Sequence, residues 1–226
     1  MEDINAIAAL QDPVRRRLYE YVVAQGREVG RNEAAEATGV ARTLAAHHLD
    51  KLAEVGLLES GSRRLTGRSG PGAGRPAKVY TRARGERTLS LPARDYRTAA
   101  ELLAEAAEQA GLDAGLCAAA RRRGEALRGS AAPCGGLEEA AEVLAARGYE
   151  PYLEDPEEPT DAVARVVRMR NCPFHAVAER FPPLVCGMNL ALLEGLFGTD
   201  GPVRARMDAR PGECCVVVEN SKNNND

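Results

Sequence analysis

The feature that most restricts how this 226-residue chain can fold is the order of signals between Asp12 and Tyr80. Asp12-Pro13-Val14 opens a helix, because aspartate accepts from the free amides of a first turn and proline is tolerated there. Val14, Leu18, Tyr21 and Val22 then recur at helical spacing as far as Gly26. A short helix fits Asn32 to Ala37, and Thr38-Gly39-Val40 makes a tight turn. A longer helix follows from Arg42 to about Val55, its buried side expected from Leu44, Leu49 and Leu52, with Leu57 beyond its end. Gly56 to Ser60 reads as a strand, and Ala77 to Tyr80 as its return across a tip holding Gly61, Gly67, Gly70, Gly72 and Gly74. A generic small α/β unit shares some of these parts. Their joint order predicts a helix-turn-helix with a β-hairpin wing.

Charge sharpens that reading. The formal net charge is −3, yet residues 62–87 hold eight basic side chains against Glu86 alone, a local +7. A basic segment on an acidic chain asks for a polyanion, here duplex DNA; a solvated loop is the bland alternative. The third helix would enter the major groove with Arg42, Thr43, Ala46 and His47, on the side away from the leucines. Arg42 can fork onto guanine, Thr43 and His47 can bond a base edge or a phosphate, and Ala46 permits close approach. His48 lies at the edge of the buried face, suited to packing or to a phosphate. In the wing, Arg63, Arg64, Arg68 and Lys78 are expected at the DNA backbone, and Gly74-Arg75-Pro76 suits a narrow minor groove.

Only 4% of residues are aromatic and none is Trp, so the core must come from Leu, Val and Ala, which favours helices with short strands. The longest apolar stretch, residues 185–197, is interrupted by Asn189 and Glu194, and the first residues carry no basic segment. No membrane segment or leader is expected, and the location expected is the cytoplasm. Residues 95–128 have a helical pattern broken near Gly111 and Gly115, with Leu102, Leu103, Ala106 and Ala107 as a stripe for a partner helix. A helix follows over Leu137 to Ala146, then strands Tyr149–Leu153 and Ala164–Met169 around an acidic turn, a helix near Leu184–Phe197, and strands Val203–Met207 and Cys214–Val218. The expectation is an α+β chain in four parts. Residues 1–92 form a winged helix-turn-helix, 93–130 a helical linker for a homodimer, 131–220 a cysteine-rich α+β sensor domain, and 221–226 a disordered tail.

The chain has six cysteines and three histidines. Cys172, Cys186 and the pair Cys214-Cys215 come from a loop, a helix and a strand, with His175 three residues after the first. In a reducing compartment such cysteines are ligands, reactive thiols or packing residues rather than a disulfide framework. Zinc accepts three Cys and one His, although the usual Cys-x-x-Cys knuckles are missing. Iron–sulfur clusters favour thiolates, often with a proline beside one. All four sulfurs could equally be small buried hydrophobes. Cys117 and Cys134 read as packing or surface thiols. His175 could activate Cys172 in an enzyme, but no second acid–base group or phosphate loop accompanies them, so no enzyme is expected.

Asn171-Cys172-Pro173-Phe174-His175-Ala176-Val177-Ala178, Leu184-Val185-Cys186-Gly187-Met188-Asn189-Leu190 and Pro211-Gly212-Glu213-Cys214-Cys215-Val216 together resemble the sensor half of the SufR-type transcriptional regulators. His48-Leu49-Asp50-Lys51-Leu52 and the Gly-Arg-Pro wing extend the likeness to most of the chain. The resemblance implies an ArsR- or DeoR-like winged helix joined to a domain that binds an iron–sulfur cluster, 4Fe–4S ahead of 2Fe–2S. It implies a dimeric repressor of cluster-assembly genes that holds its operator when loaded. Cys172, Cys186 and Cys214 are the ligands it implies, with Cys215 as the alternative to Cys214 and His175 as the candidate fourth. Because a strand sends neighbours to opposite faces, one cysteine of the 214–215 pair is expected at the site. A regulator that binds zinc or a small organic effector in its C-terminal domain is the alternative.

Overall fold

The computed structural model describes residues 2–63, 76–90, 92–155, 165–198 and 200–221. The chain forms two compact units, Met1–Arg94 and Asp95–Asp226.

The first unit runs α1 (Glu2–Ala9), α2 (Pro13–Gln25), β1 (Val29–Gly30), α3 (Arg31–Thr38), α4 (Arg42–Glu54), β2 (Leu58–Arg63) and β3 (Ala77–Arg82). Local chemistry sets most of its boundaries. Asp12 accepts from the amides of Val14 and Arg15 at 2.9 Å each, capping α2, and Gly26 ends that helix with φ +62°. Gly39 turns α3 into α4 with φ +67°, a conformation costly for any residue with a Cβ. Ala45, Leu49 and Leu52 of α4 pack on Ala6, Leu18, Val22, Val29, Ala34 and Tyr80. The strands make an antiparallel sheet ordered β1-β3-β2, with Tyr80 facing Val29 on one side and Ser60 on the other. Helix α1 and the short β1 carry too little pattern to be expected from sequence.

One core expectation fails. Leu44 is 44% exposed, and Ala45 takes its place at the centre of the α4 packing face. Leu44 precedes Leu52 by eight residues, which puts the two about 80° apart around the helix.

The second unit runs α5 (Tyr96–Gln109), α6 (Asp113–Arg128), α7 (Leu137–Ala145), β4 (Pro151–Glu154), β5 (Val166–Met169), α8 (His175–Ala178), α9 (Pro182–Phe197), β6 (Val203–Met207) and β7 (Val216–Asn220). Its antiparallel sheet is ordered β4-β5-β7-β6. Val167 and Met169 of β5, Val216 and Val218 of β7 and Val203 of β6 face a core shared with Leu144 of α7 and Leu193 and Phe197 of α9. The helices expected as a linker lie in this unit, with α6 pressed on α9. A Cβ on Gly124 would run into the Leu192 carbonyl, and one on Gly195 into the Arg121 carbonyl, so two glycines allow the close crossing. Ala104 and Ala107 of α5 pack beside Phe181, Leu184 and Val185, whereas Leu102 and Leu103 are exposed.

Among the described residues no helix is long and apolar enough to cross a membrane. Ser221, expected in the disordered tail, donates to the Pro202 and Gly201 carbonyls at 2.7 and 2.9 Å. Residues 222–226 lie outside the described set.

Candidate functional site

Helix α4 packs through Ala45, His48, Leu49 and Leu52, which turns Arg42, Thr43 and His47 outward, with Ala46 half-buried between them. Leu44, missed as a surface residue, joins that exposed face. His48 is buried, and its Nδ1 accepts from Arg15 Nε at 3.4 Å. Burial holds its pKa below the ordinary histidine value, so it packs as a neutral imidazole.

The wing is joined to α4 by a charged hub that sequence reasoning did not find. Asp50 accepts from Lys78 Nζ at 2.7 Å, Tyr80 Oη at 2.6 Å and Arg31 Nη2 at 2.8 Å. Burial raises its pKa, but the donors outweigh that effect and bring it to about 2. Lys78, expected at DNA, is thus engaged by Asp50, and Arg63 lies 3.1 Å from Glu28. Arg64, Arg68 and Arg75 lie outside the described residues. A mid-helix aspartate beside a basic hairpin was the available signal for the hub.

In the second unit the turn after β5 brings Cys172 inward, closed by the His175 amide donating to the Cys172 carbonyl at 3.0 Å. Cys186 sits in the second turn of α9. Cys214 and Cys215 precede β7. The Cys214 amide donates to the Met169 carbonyl at 3.0 Å, and the Cys215 carbonyl accepts from the Asp208 amide at 2.8 Å. Cys214 lies in the core with Val216 and Val218 and meets Asn189, while Cys215 meets Cys186, so each of the two sulfurs has a neighbour on α9.

The Cys172 and Cys214 thiols are near enough to shift each other's titration. Cys186 and Cys215 are joined as a disulfide with Cα atoms 6.5 Å apart, a pairing not expected from the sequence. Cys186 and Asn189 share a face of α9 and touch Cys215 and Cys214 respectively.

The neighbouring Cys172 lowers the Cys214 pKa from the ordinary thiol value, and Cys214 together with burial pushes Cys172 up. Among the described residues no three His, Cys, Asp or Glu side chains already surround one point as a metal site. The donor chemistry nonetheless suits an iron–sulfur cluster, which takes four cysteine thiolates. Ligation by Cys186 requires its disulfide to be reduced, so disulfide and metal binding exclude each other.

His175, expected as a fourth ligand, is not gathered in. Its side chain is 67% exposed, and its Nε2 lies 3.1 Å from Glu179 Oε1, one helical turn on. Cys117 of α6 lies 3.6 Å from where a Gly187 Cβ would stand. Cys134 is buried in the core beside α7, its thiol donating to the Gly136 carbonyl.

Sequence reasoning also missed Arg168, which holds the cysteine-bearing loop. Its side chain is 2% exposed, with Nε on Glu154 at 2.7 Å and Nη2 on Asp208 at 2.6 Å. Tyr152 Oη donates to Glu213 at 2.6 Å, one residue before Cys214. An arginine on the outward register of a valine-rich strand, followed by acidic residues in the next hairpin, was the signal.

Comparison with known families matches residues 10–61 to the helix-turn-helix domain, covering α2, α3, α4 and the first residues of β2. Comparisons with curated proteins and with solved structures return no match. The matched segment contains the exposed α4 face described above. It supports a DNA-binding transcription regulator.

Proposed function

We propose that this chain is a homodimeric, cytoplasmic transcriptional repressor whose C-terminal unit holds an iron–sulfur cluster, and that it controls genes for assembling such clusters. The observation that carries the reading is that Cys215 meets Cys186 and Cys214 meets Asn189, one turn apart on α9, in a chain with a helix-turn-helix domain. The resemblance to SufR-type regulators supports the choice of cluster and of target genes. Cys172, Cys186 and Cys214 are the ligands. Cys215, in contact with Cys186, takes the fourth position that the exposed His175 leaves.

When bound, a 4Fe–4S cluster supplies ligation that oxidants and iron shortage break. The chain's own part is mechanical. Ligation would tie thiolates from the 170–175 turn, from α9 and from the approach to β7 together, whereas the Cys186–Cys215 disulfide joins only the last two. Because α9 is seated on α6 through Gly124 and Gly195, a shift of α9 is passed to α6. The exposed Leu102 and Leu103 of α5 offer a second copy its contact. Dimeric recognition helices must meet major grooves about 34 Å apart, so a small change of spacing forfeits a half-site.

The test is anaerobic purification followed by iron and sulfide analysis and a salt-controlled shift assay. Brown protein is expected, with operator affinity at least about tenfold higher than after cluster removal. Serine at Cys172, Cys186 or Cys214 should strip the iron, while Cys117→Ser and Cys134→Ser should not. Colourless protein with stoichiometric zinc would replace the cluster with the metal that a four-thiolate set also accepts.

A further inference from the structure

We infer that Asn189 is a positioning residue for the sulfur site, its side-chain amide donating a fixed N–H···S hydrogen bond that tunes the Cys214 ligand. The inference rests on the ligand set proposed above.

Asn189 is 0% exposed in the middle of α9, a helix otherwise built from apolar residues and glycine on its inner side. Asparagine is a poor residue for that place, since it favours a helix weakly and a buried amide is costly unless both ends are bonded. A leucine would fill the core at lower cost. Both ends of this amide are in fact occupied. Tyr149 Oη donates to Asn189 Oδ1 at 2.6 Å, and Asn189 Nδ2 donates to Cys214 Sγ at 3.4 Å.

The tyrosine decides the direction. A hydroxyl donating to Oδ1 holds the oxygen on its own side and turns the NH2 group toward the sulfur. A thiolate, free or metal-bound, has lone pairs and no hydrogen, so it accepts from N–H and would be repelled by a carbonyl oxygen. The chain Tyr149–Asn189–Cys214 therefore presents a donor to a thiolate at Cys214. It is anchored in the core, because Tyr149 and Cys214 both belong to the main apolar cluster of this unit. Hydrogen bonds to ligating sulfurs are a recognised control on the potential of such centres. A donor stabilises the more electron-rich, reduced state.

The experiment uses the full chain with Asn189→Leu and Tyr149→Phe, each checked for native far-ultraviolet circular dichroism. Two probes are applied anaerobically to reduced protein: Co(II) alone, read by its thiolate-to-cobalt charge-transfer band, and a cluster reconstituted with iron and sulfide, read by its reduction potential. Loss of the donor should move the cobalt band of N189L to lower energy and its cluster potential to more negative values. Tyr149→Phe, which frees the amide to turn, should shift both in the same direction by less. Unshifted band and potential in both folded variants would overturn the role of Asn189 while leaving the ligand set standing. Absence of a cobalt–thiolate band and of a cluster in the unaltered protein would overturn the ligand set, and this inference with it. If N189L does not fold, Y149F decides by the same two shifts.

Discussion

Asp50 in the first unit and Arg168 in the second each collect several opposite charges, but in different surroundings. Asp50 has a side chain 44% exposed and takes Lys78, Arg31 and Tyr80 at the surface, where it aligns α4 with β3. Arg168 is almost wholly covered and faces Glu154 and Asp208 across the outer side of the sheet. Water reaches the Asp50 carboxylate directly, whereas at the second cluster it reaches the carboxylates, each about a third exposed, but not the guanidinium between them. A surface hub can orient a reading helix at little energetic consequence, whereas a buried hub is strongly destabilising to break. The same division runs through the chemistry of the units. The helix-turn-helix unit turns its candidate contacts outward, and the second unit draws its sulfurs inward.

The largest expected effect lies on the buried side. Arg168→Met removes the covered cation that Glu154 and Asp208 share and leaves them Arg210 and Arg206, and should destabilise the second unit by about 2 kcal/mol. Hydrogen exchange of the full chain, resolved by peptide, should show the loss over β5–β7 and none over α2–α4. A loss below about 1 kcal/mol would mean that this face is solvated like the Asp50 hub, and the contrast would fall.

Next is the outward face. Arg42→Ala should cost about 1–3 kcal/mol of operator binding and relax base preference, with the first unit's stability unchanged. Lys78→Ala should do the reverse in kind, loosening α4 against β3 with little change in base preference, because its Nζ is on Asp50. A base-specific loss from Lys78→Ala would return that residue to the DNA surface.

The first unit was legible in the sequence because its signals are local. Asp12-Pro13, Gly26 and Gly39 act within a few residues of themselves, and they lie at the helix boundaries the structure shows. The second unit's strands and α9 were also legible, through short apolar runs between turns. Its site was not, because sulfur pairing depends on how α9 meets residues 214–215, and spacing does not encode that register. His175 illustrates the limit: three residues from Cys172 in sequence, it starts α8 and points to Glu179. Asn189 was visible as a polar interruption of the longest apolar run, but its meaning needed Tyr149, forty residues away.

Acid sharpens the comparison at a smaller scale. The Asp50 pKa of about 2 lies below the ordinary carboxylate value, so its contribution is present above about pH 4. That contribution is lost as pH falls from there through about 2, when the carboxylate protonates. Discounted for solvent screening, the change is about 1 kcal/mol. Asp50→Asn should therefore start less stable at neutral pH and show a flatter decline between pH 4 and pH 2 by hydrogen exchange over α4 and β3. Equal slopes in both proteins would show that Asp50 is not the titrating hub.

Leu44→Ala should have the smallest effect on folding. A buried leucine in α4, such as Leu49, would lose about 2–5 kcal/mol on truncation, because a cavity remains where it packed. Leu44 stands on the exposed arc beside Thr43 and His47, so its truncation leaves no cavity, and stability should stay within about 0.5 kcal/mol. Its consequence should appear in binding instead. An apolar side chain on a helix in the major groove finds its counterpart in the thymine methyl group, and covering one such group is worth about 1 kcal/mol. Operator duplexes selected with the unaltered protein should bind Leu44→Ala more weakly by about that amount. Replacing thymine by uracil at the contacted position should weaken the unaltered protein to the same degree and leave the variant unaffected. If stability falls by more than about 2 kcal/mol instead, Leu44 belongs to the packing face after all, and the exposed arc of α4 is narrower by one residue.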